Sequence, residues 1–160
     1  MKKQVVGAAI ALSFLTLSGC QTTSSNIANG GAERLVGDWH CVASYGAESK
    51  VESFTTFKET YDSTGITKLW LSVVPGKPDA EFEFVHQGRW TMSASQVREE
   101  IVDYSLTAKN DMAHSIKPMV QSLFDAMLEP QVTEILELTD EKFVGKSYTS
   151  NDTFSCDRIK

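Results

Sequence analysis

From Glu81 to Met92 the chain alternates with a period of two. Phe82, Phe84, His86, Gly88, Trp90 and Met92 share one parity, and Glu81, Glu83, Gln87 and Arg89 occupy the other. Successive side chains of an extended strand point to opposite faces, so this segment reads as one half-buried strand, with Gly88 marking a bend or bulge. Seven further segments read as strands: 35–45, 51–60 and 66–74 before it, and 97–107, 131–138, 142–149 and 153–159 after it. Polar and Gly/Pro clusters separate them, among them Asp62-Ser63-Thr64-Gly65, Pro75-Gly76-Lys77-Pro78, Thr139-Asp140-Glu141 and Ser150-Asn151-Asp152. Short connections imply antiparallel neighbours. The expected class is therefore mainly β, an eight-stranded antiparallel up-and-down barrel whose closure removes exposed edges.

One helix interrupts the series, between strands five and six. Asn110 or Asp111 caps its start, and Pro130 marks its stop. Pro118 sits in its first turn or kinks it. Ile116, Val120, Leu123, Met127 and Leu128 fall on one stripe at helical spacing. Such a stripe packs over a barrel, or serves as a lid or a surface for a protein partner.

Composition sets the class of partner. The 160 residues carry 15 basic and 21 acidic side chains, a net charge of −6, which excludes the broad basic footprint of a nucleic-acid binder. Hydrophobic residues make up 41% and charged residues 22%, a composition suited to a folded domain.

The N-terminus reads as an address. Lys2 and Lys3 precede an apolar run over residues 5–17, and Leu17-Ser18-Gly19-Cys20 follows. A positive start, a short apolar core and small residues before a cut site describe a secretory signal, and the run is shorter than the about 20 residues a spanning helix needs. Leu-Ser-Gly-Cys resembles the lipobox of bacterial lipoproteins. That resemblance implies cleavage after residue 19, a diacylglycerol on the sulfur of Cys20, and a further acyl chain (a palmitate, for example) on the new amino end. Several acyl chains anchor a protein without spanning, since each buried CH₂ contributes about 0.8 kcal/mol. Gln21 and Thr22 follow the cysteine where an aspartate would retain the protein at the inner membrane, which by the same resemblance implies the outer membrane, facing the periplasm. Losing Lys2 and Lys3 makes the mature chain two charges more acidic. Residues 20–33, polar and rich in Ser, Thr, Asn and Gly, read as the lipidated cysteine and a flexible tether, leaving residues 34–160 as the barrel domain.

Cys41 and Cys156 remain, one in the first strand and one in the last. An exported protein meets an oxidising environment, so a disulfide is expected; the alternative is two free thiols, one of them reactive. Opposed residues of an antiparallel pair have a constant index sum. The cysteines give 41 + 156 = 197, and Trp39 with Arg158 and Ala43 with Phe154 give the same sum. One register therefore sets the cysteines face to face and lays Arg158 beside the Trp39 indole. Pairing first strand with last closes the barrel.

Gly37-Asp38-Trp39 at the head of the first strand and Arg158 near the end of the last resemble the calycin superfamily, which includes lipocalins and fatty-acid-binding proteins. In lipocalins a Gly-x-Trp opens the first strand and a late arginine packs across the tryptophan. The resemblance spans residues 34–160 and implies a barrel that holds a small apolar ligand or lipid. Its candidate lining is Phe82, Phe84, His86, Trp90, Met92 and Tyr104, together with Val102 and Leu106; the alternative is that these side chains fill the core, with His86 a hydrogen-bonded barrel histidine. Lys160 stands where fatty-acid-binding proteins end on tyrosine, so the Arg–Tyr pair that grips a carboxylate there is incomplete here.

No reaction class is written in the sequence. His40, His86 and His114 show no zinc-like spacing, and there is no GxSxG elbow, phosphate loop or glycine fingerprint. Glu99, Glu100, Glu134 and Glu137 read as solvated strand faces. No cofactor and no metal is implied, and binding rather than catalysis is expected. The two functional expectations are a small apolar ligand or lipid in the barrel, or a protein-binding envelope accessory factor or inhibitor that meets its partner through the helix and the acidic surface.

Overall fold

The computed structural model describes residues 31–45, 49–73, 75–77, 79–126 and 128–160. The signal segment, Cys20, residues 20–30 of the tether and Met127 lie outside them. Eight antiparallel strands follow in order: β1 (Gly37–Tyr45), β2 (Ser49–Phe57), β3 (Asp62–Leu71), β4 (Ala80–Ser93), β5 (Gln96–Ala108), β6 (Gln131–Leu138), β7 (Lys142–Ser147) and β8 (Thr153–Arg158). Each pairs with the next and β8 returns to β1, so the barrel is closed. A helix, α2 (Asp111–Ala126), is inserted between β5 and β6, as the sequence leads one to expect. The alternation in β4 holds: Ala80, Phe82, Phe84, His86, Gly88 and Trp90 are buried, each followed by a more exposed neighbour. This architecture is consistent with a calycin-like fold.

The seam has the register of constant sum 197. Trp39 faces Arg158 and Cys41 faces Cys156. The cysteines form a disulfide, S–S 1.99 Å, and the strands draw in to 3.9 Å between their Cα atoms. The ladder stops at Val42 and Ser155, one step short of Ala43 and Phe154. Arg158 lies over the Trp39 ring, 4.3 Å from the guanidinium carbon to the ring centroid. It also donates to the carbonyls of Val36 (2.7 Å), Asp140 (2.5 Å) and Arg34.

Those carbonyls explain the first departure from expectation. Residues 31–33 do not continue a tether, and Leu35 does not open a strand; both belong to a one-turn helix, α1 (Gly31–Leu35). Leu35 is fully buried and its carbonyl accepts the Trp39 indole N–H at 2.7 Å. Gly37 then turns the chain into β1 with φ +134°, where a Cβ would collide with the Arg158 guanidinium. The Gly-x-Trp signature thus joins a helical plug to the first strand.

Two bulges re-aim the wall. Gln87 faces Asp103 but Gly88 faces Ile101, so Val102 is the extra residue on β5. Ile135 faces Gly145 but Glu137 faces Val144, so Leu136 is the extra residue on β6. Both extra residues are turned outward, 56% and 50% exposed. The irregularity expected at Gly88 is therefore carried by the opposite strand, and Val102 is no lining residue.

The odd-numbered strands run away from α1, so α1 and α2 lie at opposite ends. At the α1 end Leu35, Trp39, Phe57, Trp90, Ile135, Leu138 and Phe143 form one buried cluster. At the α2 end Phe82, Phe84, Leu106 and Ala108 pack with Ala113 and Val120 of the helix. The Asn110 side chain caps α2, accepting the Ala113 N–H at 2.9 Å. Pro118 falls inside the helix. The stripe turned to the barrel is Ala113, Ile116, Val120 and Phe124, while Leu123 is 59% exposed. Leu123 and Leu128, both exposed, are thus not on the packed face. The small Ala113 lets the helix approach, and Phe124 stacks on Phe84 at 4.7 Å, which rotates Leu123 away.

Candidate binding site inside the barrel

Between the two clusters the barrel is hollow. A cavity of about 300 Å³ is bounded by every strand except in its plugged ends. Its apolar surface comes from Phe84, Val97, Ile101, Phe143 and Phe154, and its polar surface from the hydroxyls of Ser53, Thr55, Thr67 and Thr133 with His86 and Glu99. The volume lies at the lower end of small-molecule sites, and eight strands enclose room for one small ligand.

The polar focus is built by cross-strand pairs. His86 faces Gly65 on β3, and its ring fills the space a Cβ there would need. Ser63 faces Gly88, and its hydroxyl lies 2.7 Å from where a Cβ on Gly88 would sit. Missing side chains on both strands let these two groups settle into the wall and converge on Glu99 of β5. Ser63 donates to Glu99 Oε1 at 2.5 Å. His86 Nε2 lies 3.4 Å from the same oxygen without making a hydrogen bond to it. His86 is 7% exposed, and neither of its ring nitrogens has a hydrogen-bond partner. Buried polar groups are normally satisfied, so an imidazole without a hydrogen bond beside Glu99 sets this part of the cavity wall apart.

Of the residues expected to line the interior, Phe84 and His86 do so. Phe82 is buried in the α2-end cluster, and Met92 packs against the α1-end cluster. Trp90 is buried at the α1 end, where its indole N–H meets the Lys58 carbonyl at 3.2 Å. It also borders a second hollow of about 490 Å³, beside Glu33, Glu59 and Tyr61. The Tyr104 hydroxyl is engaged with Asp125 and Gln121 of α2. The hydrogen bond to the Asp125 carboxylate, and then burial, push the phenol pKa above its ordinary value.

Glu99 corrects the sequence reading, which placed it on a solvated face. Val97, Glu99 and Ile101 share the inward parity, and the bulge at Val102 hands that parity on to Tyr104, Leu106 and Ala108. The signal was the adjacent apolar pair Ile101-Val102, which breaks strict alternation and shifts the face. His40 is on the outside, stacked on Phe54 at 4.6 Å and bonded to Glu52 at 2.8 Å. That hydrogen bond holds the Glu52 carboxyl below the usual carboxylate range. Among the described residues no group of three or more His, Cys, Asp or Glu is placed to hold a metal ion, and no helix is long and apolar enough to cross a membrane. No protein-family model matches the chain, and no curated protein matches it.

Proposed function

We propose that this chain is a lipid-anchored lipoprotein of the bacterial outer membrane, facing the periplasm, whose barrel binds one small, partly apolar ligand. The carrying observation is the cavity of about 300 Å³ with an unpartnered buried imidazole on its wall. The seam disulfide fits an oxidising compartment, and Leu17-Ser18-Gly19-Cys20 supports the anchor. The full chain, purified from a bacterium that expresses it, is weighed by native mass spectrometry and again after denaturation. A bound mass lost on denaturation supports the reading; a protein that is empty and takes up no small-molecule probe overturns it. The anchor is tested separately: Cys20→Ala should move the protein from the membrane fraction to the soluble one, and an unchanged membrane fraction would defeat it.

A second reading has its own support. Met119 and Leu123 stand 56% and 59% exposed on α2, the pattern of a surface for an envelope protein partner. Ile116 and Val120 face the barrel and do not contribute to it. Leu123→Glu should abolish partner capture in crosslinked envelopes while leaving the barrel folded.

A further inference from the structure

Among the described residues the cavity wall carries one carboxylate, Glu99, and neither a lysine nor an arginine. A carboxylate ligand inside it would face Glu99 across a low-dielectric space with no lysine or arginine among them to offset either charge, which is costly. The fatty-acid occupant that a calycin resemblance suggests is therefore the wrong charge for this interior. A cationic head group is the right one. Glu99 Oε1 already accepts from Ser63, and a carboxylate has lone pairs to spare for the several N–H donors of an ammonium. The rings of Phe84, Phe143 and Phe154 share the cavity, and aromatic faces attract cations while covering an apolar stem. The net charge of −6 adds an attractive field for a positively charged molecule approaching the barrel.

We infer that the barrel selects an amphipathic amine: a protonated amino head at Glu99, and a short aromatic or aliphatic body against Phe84, Phe143 and Phe154. This rests on the proposed reading of the barrel as a ligand site and names the charge of its ligand.

Three probes of similar size and different charge separate the two claims. The full-length protein is titrated calorimetrically with 2-phenylethylamine, 2-phenylethanol and 3-phenylpropionate, and so is its Glu99→Gln variant. The amine should bind about tenfold or more tightly than the alcohol, as expected of a charge-assisted hydrogen bond, and the carboxylate weakest. Glu99→Gln keeps an acceptor for Ser63 and should erase the preference while leaving alcohol binding within a few-fold, which also shows that the variant is folded. If the variant binds nothing, Ser63→Ala is substituted for it, since a freed Glu99 should hold the amine at least as tightly. Loss of the amine preference in Ser63→Ala would count against the inference. A carboxylate that binds as well as the amine, or an amine preference unchanged by Glu99→Gln, overturns the inference and leaves the binding barrel standing. Failure of all three probes to bind overturns both.

Discussion

The imidazole of His86 stands in the space that Gly65, its partner on the neighbouring strand, leaves empty. A methyl group at position 65 and a ring at position 86 cannot both keep their places. In an ordinary strand Gly→Ala is favourable, because glycine loses more freedom on folding. Here Gly65→Ala should destabilise by about 1–3 kcal/mol through overpacking, read from urea unfolding. Adding His86→Ala should recover much of that loss, and a purely additive pair would show that the two residues do not compete.

The bulge on β5 makes an opposite forecast for two adjacent apolar residues. Val102 is 56% exposed, whereas Ile101 faces the cavity. Val102→Asp should change stability by no more than about 1 kcal/mol. Ile101→Asp puts a second carboxylate in the cavity with Glu99 and should cost more than about 2 kcal/mol. Equal effects would mean that the extra residue lies elsewhere in the strand.

Cys41 and Cys156 are 115 residues apart, so their bond removes a very long loop from the unfolded chain. For loops of this order the chain-entropy estimate is about 4–5 kcal/mol. The Cys41→Ser/Cys156→Ser protein should therefore unfold at a markedly lower urea concentration than the oxidised one. A midpoint that does not move on reduction would show that the β1–β8 ladder holds the seam unaided.

Tyr104 ties β5 to α2, and its phenol pKa is raised above 10.0 by the hydrogen bond to the Asp125 carboxylate and then by burial. A group whose folded pKa lies above its unfolded value adds stability below the unfolded value, and that contribution fades as pH rises through the folded one. The contribution is thus complete at neutral pH and lost above about pH 10; the tyrosine is only partly buried, which keeps it small. Ultraviolet titration of phenolate, compared with Tyr104→Phe, should show that the missing tyrosine is one that ionises late. A missing tyrosine that ionises at or below pH 10 would refute the bond.

Much of the fold can be read from the chain because strand physics is written in parity. Phe82 to Trp90 alternate without a break, and the index sum of the two cysteines gives the seam register and the Arg158–Trp39 contact. The site was half legible. Phe84 and His86 follow from the same parity. Glu99 does not, because a glutamate is usually on the outside and only the extra residue Val102 turns it in. The helix face was misjudged for a related reason. Hydrophobicity favours Leu123, but close approach to a barrel end favours the small Ala113 and the stacking Phe124. α1 was hidden because a single turn has too few residues to show a period; what holds it are the Arg158 guanidinium and the buried Leu35, both contacts across the fold.

The β1–β8 seam also gives the two ends of the barrel different builds. α1 and the end of β8 meet at one end of the barrel, bound by Arg158 and by an ion pair of Arg34 with Asp140 at 3.6 Å, while α2 caps the other. The proposed lipid anchor at Cys20 lies on the α1 side in the chain, so that proposal predicts α2, with Met119 and Leu123, to be the end of the barrel farther from the point of attachment.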